Sequence, residues 1–145
     1  MNSSPRILEN RLYTASAAST GGRDGRVKSD DGTLDLAISP PKSLGGSGAP
    51  GTNPEQLFAA GYSACFGSAV AHVARAQKLV TGPFQIVANV SIGPVAGVFG
   101  LAVELVATFP ELPRDQAEAL VQAAHQVCPY SNATRGNIAV DVRVA

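Results

Sequence analysis

Charge is scarce in this chain: 15% of its 145 residues are Asp, Glu, Lys or Arg, and 11 basic side chains balance 11 acidic ones. No basic block breaks that balance, which argues against nucleic acid or an anionic membrane surface as a partner. No run approaches the ~20 apolar residues of a membrane span. The opening Met1-Asn2-Ser3-Ser4-Pro5-Arg6 lacks the apolar stretch of a secretory signal. These absences predict a cytoplasmic protein. Internal repeats and low-complexity tails are missing too. Thiols are as scarce as imidazoles, with only Cys65 and Cys128 in the whole sequence. In a reducing compartment structural disulfides are rare, so a thiol pair there more often serves catalysis or metal binding.

What is present is apolar and small: 45% of residues are hydrophobic, and many of these are Ala. A chain of this length is expected to form one domain, residues 1–145, with a real core. Its low charge predicts apolar surface left for a second copy, hence a homo-oligomer.

Periodicity predicts an α+β fold. Residues 6–18 read as a strand with a helical competitor, because Ile7, Leu8, Leu12 and Tyr13 keep no clean period. Thr20-Gly21-Gly22-Arg23-Asp24-Gly25 is a tight glycine loop. Strands near 26–30 and 33–39 flank the Asp30-Asp31-Gly32 turn, and residues 40–52 form a loop. Asn53 offers an N-cap and Pro54 a first helical residue for a helix over about 54–78. Gly61 and Gly67 inside it imply close packing, since Gly costs about 1 kcal/mol in a helix interior. A hairpin of strands near 84–92 and 98–109 turns about residues 93–97, and a second helix covers about 113–127. Alternation of Ile138, Val140, Val142 and Val144 marks a last strand.

Cys65 sits deep in the first helix, and Cys128 closes the second, directly before Pro129. A free thiol titrates near ~8.5, so a nucleophilic Cys65 needs help to ionise. Its own helix N-terminus lies 12 positions back, roughly 18 Å at 1.5 Å per residue, beyond the first turn where the dipole acts. A side-chain cation is required instead. Arg23, set among glycines, is the best candidate, with Arg26 as competitor. Glu55, in the first helical turn, could clamp that guanidinium, provided Arg23 lies nearer the sulfur than the carboxylate does. Plainer readings stand beside these. Cys65 could be core filler, Glu55 a dipole partner, Arg23 a solvated loop residue and Cys128 a mark of helix termination. Phe58, Tyr62 and Phe66, four apart on one helix face, could be core packing rather than a substrate surface.

Other chemistries use the same residues. His125 and Cys128 have the i,i+3 spacing of zinc ligands, but Cys65 and His72 are about 10.5 Å apart along a helix axis and cannot readily share one ion. Gly61-Tyr62-Ser63-Ala64-Cys65 imitates a hydrolase nucleophile elbow but lacks the last glycine and lies inside a helix. A non-catalytic redox sensor would carry the same thiols and react once only.

Two longer stretches narrow the choice. Thr52-Asn53-Pro54-Glu55-Gln56-Leu57-Phe58-Ala59-Ala60-Gly61-Tyr62-Ser63-Ala64-Cys65-Phe66 closely resembles the first signature of the organic hydroperoxide resistance branch of the OsmC/Ohr family. Val127-Cys128-Pro129-Tyr130-Ser131-Asn132-Ala133-Thr134-Arg135-Gly136-Asn137-Ile138 resembles the second, and the Arg23 loop is similar to the family's arginine loop. The likeness runs over nearly the whole chain. It implies two antiparallel sheets packed around two main helices in an intertwined homodimer. It also implies a thiol peroxidase that reduces organic hydroperoxides to alcohols. By matching position, Cys65 would be the peroxidatic thiolate, Cys128 the resolving thiol that forms a disulfide with it, Arg23 the stabilising cation and Glu55 its orienter. Phe58, Tyr62, Phe66 and Tyr130 would keep the substrate's alkyl part dry. No bound cofactor or metal is implied; dihydrolipoyl groups, free or on a lipoylated protein, would serve as the dithiol reductant.

Overall fold

The computed structural model describes residues 4–145. The chain divides into two units, a smaller one ending at Asn53 and a larger one, Pro54–Ala145.

The smaller unit is a three-stranded antiparallel sheet in the order β1 (Ala17–Thr20), β2 (Gly25–Ser29), β3 (Asp35–Ile38). Residues 6–16, expected within a strand, are not in one; Ile7, Leu8, Leu12 and Tyr13 stay exposed, consistent with their lack of a two-residue period. The β1–β2 turn rests on Gly21 and Gly22, both at positive φ, and on the hydrogen bond from Asp24 N–H to the Gly21 carbonyl. A Cβ at Gly25 would lie 1.8 Å from the Thr20 carbonyl oxygen, so this position admits only glycine. Between β2 and β3 the Asp31 carboxylate accepts from Ser29 Oγ at 2.6 Å and from Thr33 N–H at 2.9 Å, holding the carboxyl below its usual range. The loop after β3 returns so that Thr52 bridges Ile38, with Ser39 N–H donating to the Thr52 carbonyl.

The larger unit opens with α1 (Pro54–Ala76), followed by the long hairpin β4 (Gln85–Val95) and β5 (Val98–Thr108). Then come α2 (Arg114–Val127), the six-residue α3 (Pro129–Thr134) and β6 (Val140–Val144). Helix α1 ends two residues earlier than expected. Leu79 N–H reaches the Ala74 carbonyl and Lys78 N–H the Arg75 carbonyl, the paired closure usually built on glycine. Here Lys78 takes the left-handed position at φ 55°. The hairpin is also tighter than expected. Ala96 and Gly97, both at positive φ, make a two-residue turn that lets the strands run on through Gly93, Pro94 and Val95. Pro94 is tolerated because β4 is an edge strand.

One pairing departs from the antiparallel expectation: β6 joins the order β4-β5-β6 parallel to β5. A parallel neighbour needs a long crossover, and α2 with α3 supplies it. The core gathers Tyr62, Phe66 and Val70 of α1, Leu105 of β5, and Leu120 and Val121 of α2, all buried. By length and composition α1 could cross a membrane, contrary to the expectation that no run comes near that threshold. Its buried face is engaged in this core.

The two glycines of α1 are not equivalent. A Cβ on Gly61 would lie 2.7 Å from the Tyr130 hydroxyl oxygen, whereas one on Gly67 would meet only Ile86 and Phe84 carbons at ordinary distances of 3.7 and 3.8 Å. Close approach is therefore required at Gly61 and not at Gly67. Gly67→Ala is expected to raise the unfolding free energy by about 0.5–1 kcal/mol through helix propensity, and Gly61→Ala to lower it. Urea denaturation of the two variants checks this contrast.

Candidate active site

Pro129 creates the junction on which the thiol geometry rests. It lacks the N–H to continue α2 and suits the first position of a new helix. It also biases the residue before it toward extended backbone. Cys128 obeys, with φ −63° and ψ 125°, while its own N–H still closes α2 on the Ala124 carbonyl. One residue thus ends α2, starts α3 and points its sulfur inward.

That sulfur lies 3.8 Å from Cys65 Sγ, with the Cys128 S–H donating to it. Both thiols are reduced. Their surroundings differ in the one respect that assigns a direction to any reaction between them. Cys128 has 0% exposure, whereas Cys65 is only half-buried. Disulfide formation needs an S–S distance of about 2.05 Å, so the sulfurs must approach by roughly 1.8 Å. A shift of that size is within reach of rotamer change and slight adjustment at the α2–α3 junction.

Burial is the largest influence on the Cys65 thiol and pushes its pKa up. The backbone N–H of Tyr130, in the first turn of α3, works against it by hydrogen bonding to the sulfur. Cys128 adds an upward push when its sulfur carries the charge. The hydrogen bond between the two thiols pushes in the same upward direction.

Phe58, Tyr62 and Tyr130 form an aromatic cluster, with ring centroids 5.5 to 6.1 Å apart. Beside it is a cavity of about 630 Å³ whose walls include Leu57, Phe58, Leu101, Tyr130 and Ile138. Of the four aromatic residues expected around a substrate, Phe58 and Tyr130 line this cavity. Tyr62 and Phe66 have no exposed surface and belong to the core. Tyr130 links the two features, its ring on the cavity wall and its amide on the Cys65 sulfur.

Glu55 is the second residue of α1 and half-buried. Ten residues of helix, about 15 Å along the axis, separate it from Cys65, too far for the carboxylate alone to raise the thiol pKa strongly. Arg23 lies in the β1–β2 turn of the smaller unit. Its competitor Arg26 is engaged with the Asp35 carboxylate across the β2–β3 pair.

The sequence reading missed the polar frame behind the thiols. The Tyr62 hydroxyl is 2.9 Å from Ser131 Oγ and 3.2 Å from Thr134 Oγ1, and His125 Nδ1 is 2.7 Å from Ser131 Oγ. Ser131 and Thr134 are three apart on α3, the one signal that a hydroxyl-bearing face existed. Among the described residues no three His, Cys, Asp or Glu side chains are grouped to hold a metal ion.

The comparisons with known proteins agree with this architecture. The family model for OsmC-like proteins matches residues 45–143. The organic hydroperoxide resistance protein of Xanthomonas axonopodis pv. citri is 53% identical over 94% of this chain and 97% of its own length. Organic hydroperoxide resistance protein OhrB of Bacillus subtilis is 45% identical over 92% of this chain and 98% of its own. A crystal structure of an organic hydroperoxide resistance protein from Elizabethkingia anophelis superposes with a TM-score of 0.89 at 51% identity, covering 95% of this chain and 99% of that one. Both the fold and the paired cysteines place the protein among OsmC-like redox proteins. The chain belongs to the organic hydroperoxide resistance branch of the OsmC/Ohr family.

Burial and the nearby Arg135 guanidinium hold His125 below its ordinary value of 6.5. A depressed histidine pKa means that the unfolded chain takes up the proton first as the pH falls. Its contribution to stability is therefore intact above about 6.5 and is lost progressively below it, down to the lower folded value. Wild-type protein is expected to lose stability over this window more steeply than His125→Asn, measured by chemical denaturation at a series of pH values.

Proposed function

We propose that the protein is a thiol peroxidase that reduces organic hydroperoxides, with Cys65 as nucleophile and Cys128 as resolving thiol. The observation that carries this reading is a pair of reduced sulfurs 3.8 Å apart of which only one reaches the surface. The Cys65 thiolate attacks the terminal oxygen of the hydroperoxide. The O–O bond breaks, the departing alkoxide takes a proton to become an alcohol, and Cys65 is left as a sulfenic acid. The Cys128 thiol then displaces water from that sulfenic acid and forms the Cys65–Cys128 disulfide, which stops further oxidation. A dithiol of the dihydrolipoyl type returns the pair to the thiol state. The cavity beside Tyr130 suits an alkyl chain, since its lining is mostly aliphatic and aromatic. Organic rather than hydrogen peroxide is therefore the substrate class.

Burial works against the thiolate, and one amide hydrogen bond offsets only part of that cost. Arg23, oriented by Glu55, supplies the missing positive charge in this reading and also stabilises charge developing on the peroxide. The working protein is a cytoplasmic homodimer.

Cys65→Ser is expected to reduce turnover of cumene hydroperoxide with dihydrolipoamide to background; retained turnover removes the assignment. Cys128→Ser should complete one reduction and then accumulate Cys65 sulfinic acid under excess peroxide, seen by mass spectrometry as two added oxygens.

Arg23→Ala is expected to raise the Cys65 thiol pKa by about one unit or more. The rate of iodoacetamide alkylation against pH reads this directly, and a profile matching wild type takes Arg23 out of the site.

A further inference from the structure

The buried polar frame is directional, and its direction follows from counting hydrogens. Thr134 Oγ1 donates to the Tyr130 carbonyl at 3.0 Å and is within 3.2 Å of the Ser131 carbonyl, so its single hydrogen is committed to the α3 backbone. The Tyr62 contact with Thr134 at 3.2 Å then requires Tyr62 to donate. With the Tyr62 hydrogen so used, the 2.9 Å contact with Ser131 requires Ser131 to donate to the Tyr62 oxygen. That leaves the 2.7 Å contact between Ser131 Oγ and His125 Nδ1, which has a hydrogen only if Nδ1 carries it. Reversing the chain makes Ser131 donate to the imidazole and takes the Thr134 hydroxyl hydrogen away from the α3 carbonyls. Four hydrogens serve the forward arrangement and three the reverse.

We infer that His125, Ser131, Tyr62 and Thr134 form a one-way chain of donors that positions α3, and with it Cys128 at its N-terminus, against α1 and the Cys65 sulfur. Each link ties a different element to that short helix: α1 through Tyr62, α2 through His125, and α3 to itself through Thr134. A six-residue helix has too few internal hydrogen bonds to hold its own orientation. Arg135 adds an outer brace, its guanidinium donating to the His125 carbonyl and to Asn132 Oδ1. On the cavity side Tyr130 is held by Gly61, whose missing side chain leaves room for the phenol ring. The four residues touch neither sulfur in the hydrogen-bond network, so they are positioning residues. The catalytic value of the chain rests on Cys65 being the peroxidatic thiol.

The tautomer is read on the full-length wild-type protein. Nitrogen-15 NMR of the His125 ring is expected to show Nδ1 protonated and Nε2 bare at neutral pH. A neutral ring protonated at Nε2 overturns the chain. Positioning is read by titrating the Cys65 thiol with iodoacetamide in Tyr62→Phe, which removes one oxygen and keeps the ring, and in His125→Leu. Both should shift the curve upward enough to lower the thiolate fraction at pH 7 roughly threefold or more, about half a pH unit. His125→Asn, which retains an N–H donor near the Nδ1 position, should restore the wild-type curve. Curves identical to wild type in Tyr62→Phe and His125→Leu overturn the positioning role, even if both variants are less stable. Neither readout uses a peroxide, so failure of the peroxidase reading, seen as absent turnover, is distinct from failure of this one.

Discussion

The contact between Cys65 and Cys128 is the constraint to which the larger unit is built. Sixty-three positions separate the two sulfurs along the chain, and 3.8 Å separates them in space. Closing that gap takes a long helix of small residues, a second helix stopped at one defined residue and a proline that redirects the chain. Gly61 and Pro129 are the least replaceable parts of this arrangement, because each serves through what it lacks: a side chain in one case and an N–H in the other.

The same contact carries an electrostatic conflict. Burying a thiol discourages its ionisation, and placing a second sulfur against it adds repulsion whenever that neighbour is charged. The proposed cycle nevertheless requires the two sulfurs to be close, and an alkyl-tailed substrate as proposed favours a dry setting. The amide of Tyr130 relieves part of the conflict without adding another titratable group. It is a fixed dipole held by a folded turn, which costs little reorganisation when charge develops. Its usefulness depends on α3 staying where it is, and so on the hydroxyl groups and imidazole behind it.

Much of this was legible in the sequence, and the parts that were not have identifiable reasons. The α+β order, the long first helix and the last alternating strand follow from periodicity, and the two signature stretches point to the family. Helix α3 escaped notice because six residues are too few to show a period, and Pro129 reads equally well as a terminator. The direction of β6 is a tertiary choice that alternation of Val140, Val142 and Val144 cannot express. Lys78 closing α1 in a left-handed conformation has no glycine to announce it. Phe58, Tyr62 and Phe66 share a helix face as their spacing requires, yet burial divides them, with Phe58 on the cavity and the other two in the core. The hydroxyl partners of Tyr62 come from 69 and 72 residues away, so no local pattern could assign it.

The unequal burial of the two sulfurs also governs how an oxidised pair can be reopened. A thiol arriving from outside has one sulfur within reach, that of Cys65, and the line of attack drives the electron pair onto the enclosed partner. Any mixed disulfide with the reducing agent therefore forms at the entrance, and the interior sulfur serves only as leaving group. In the proposed cycle, regeneration proceeds through the same doorway as oxidation, which makes peroxide and reductant rivals for a single opening.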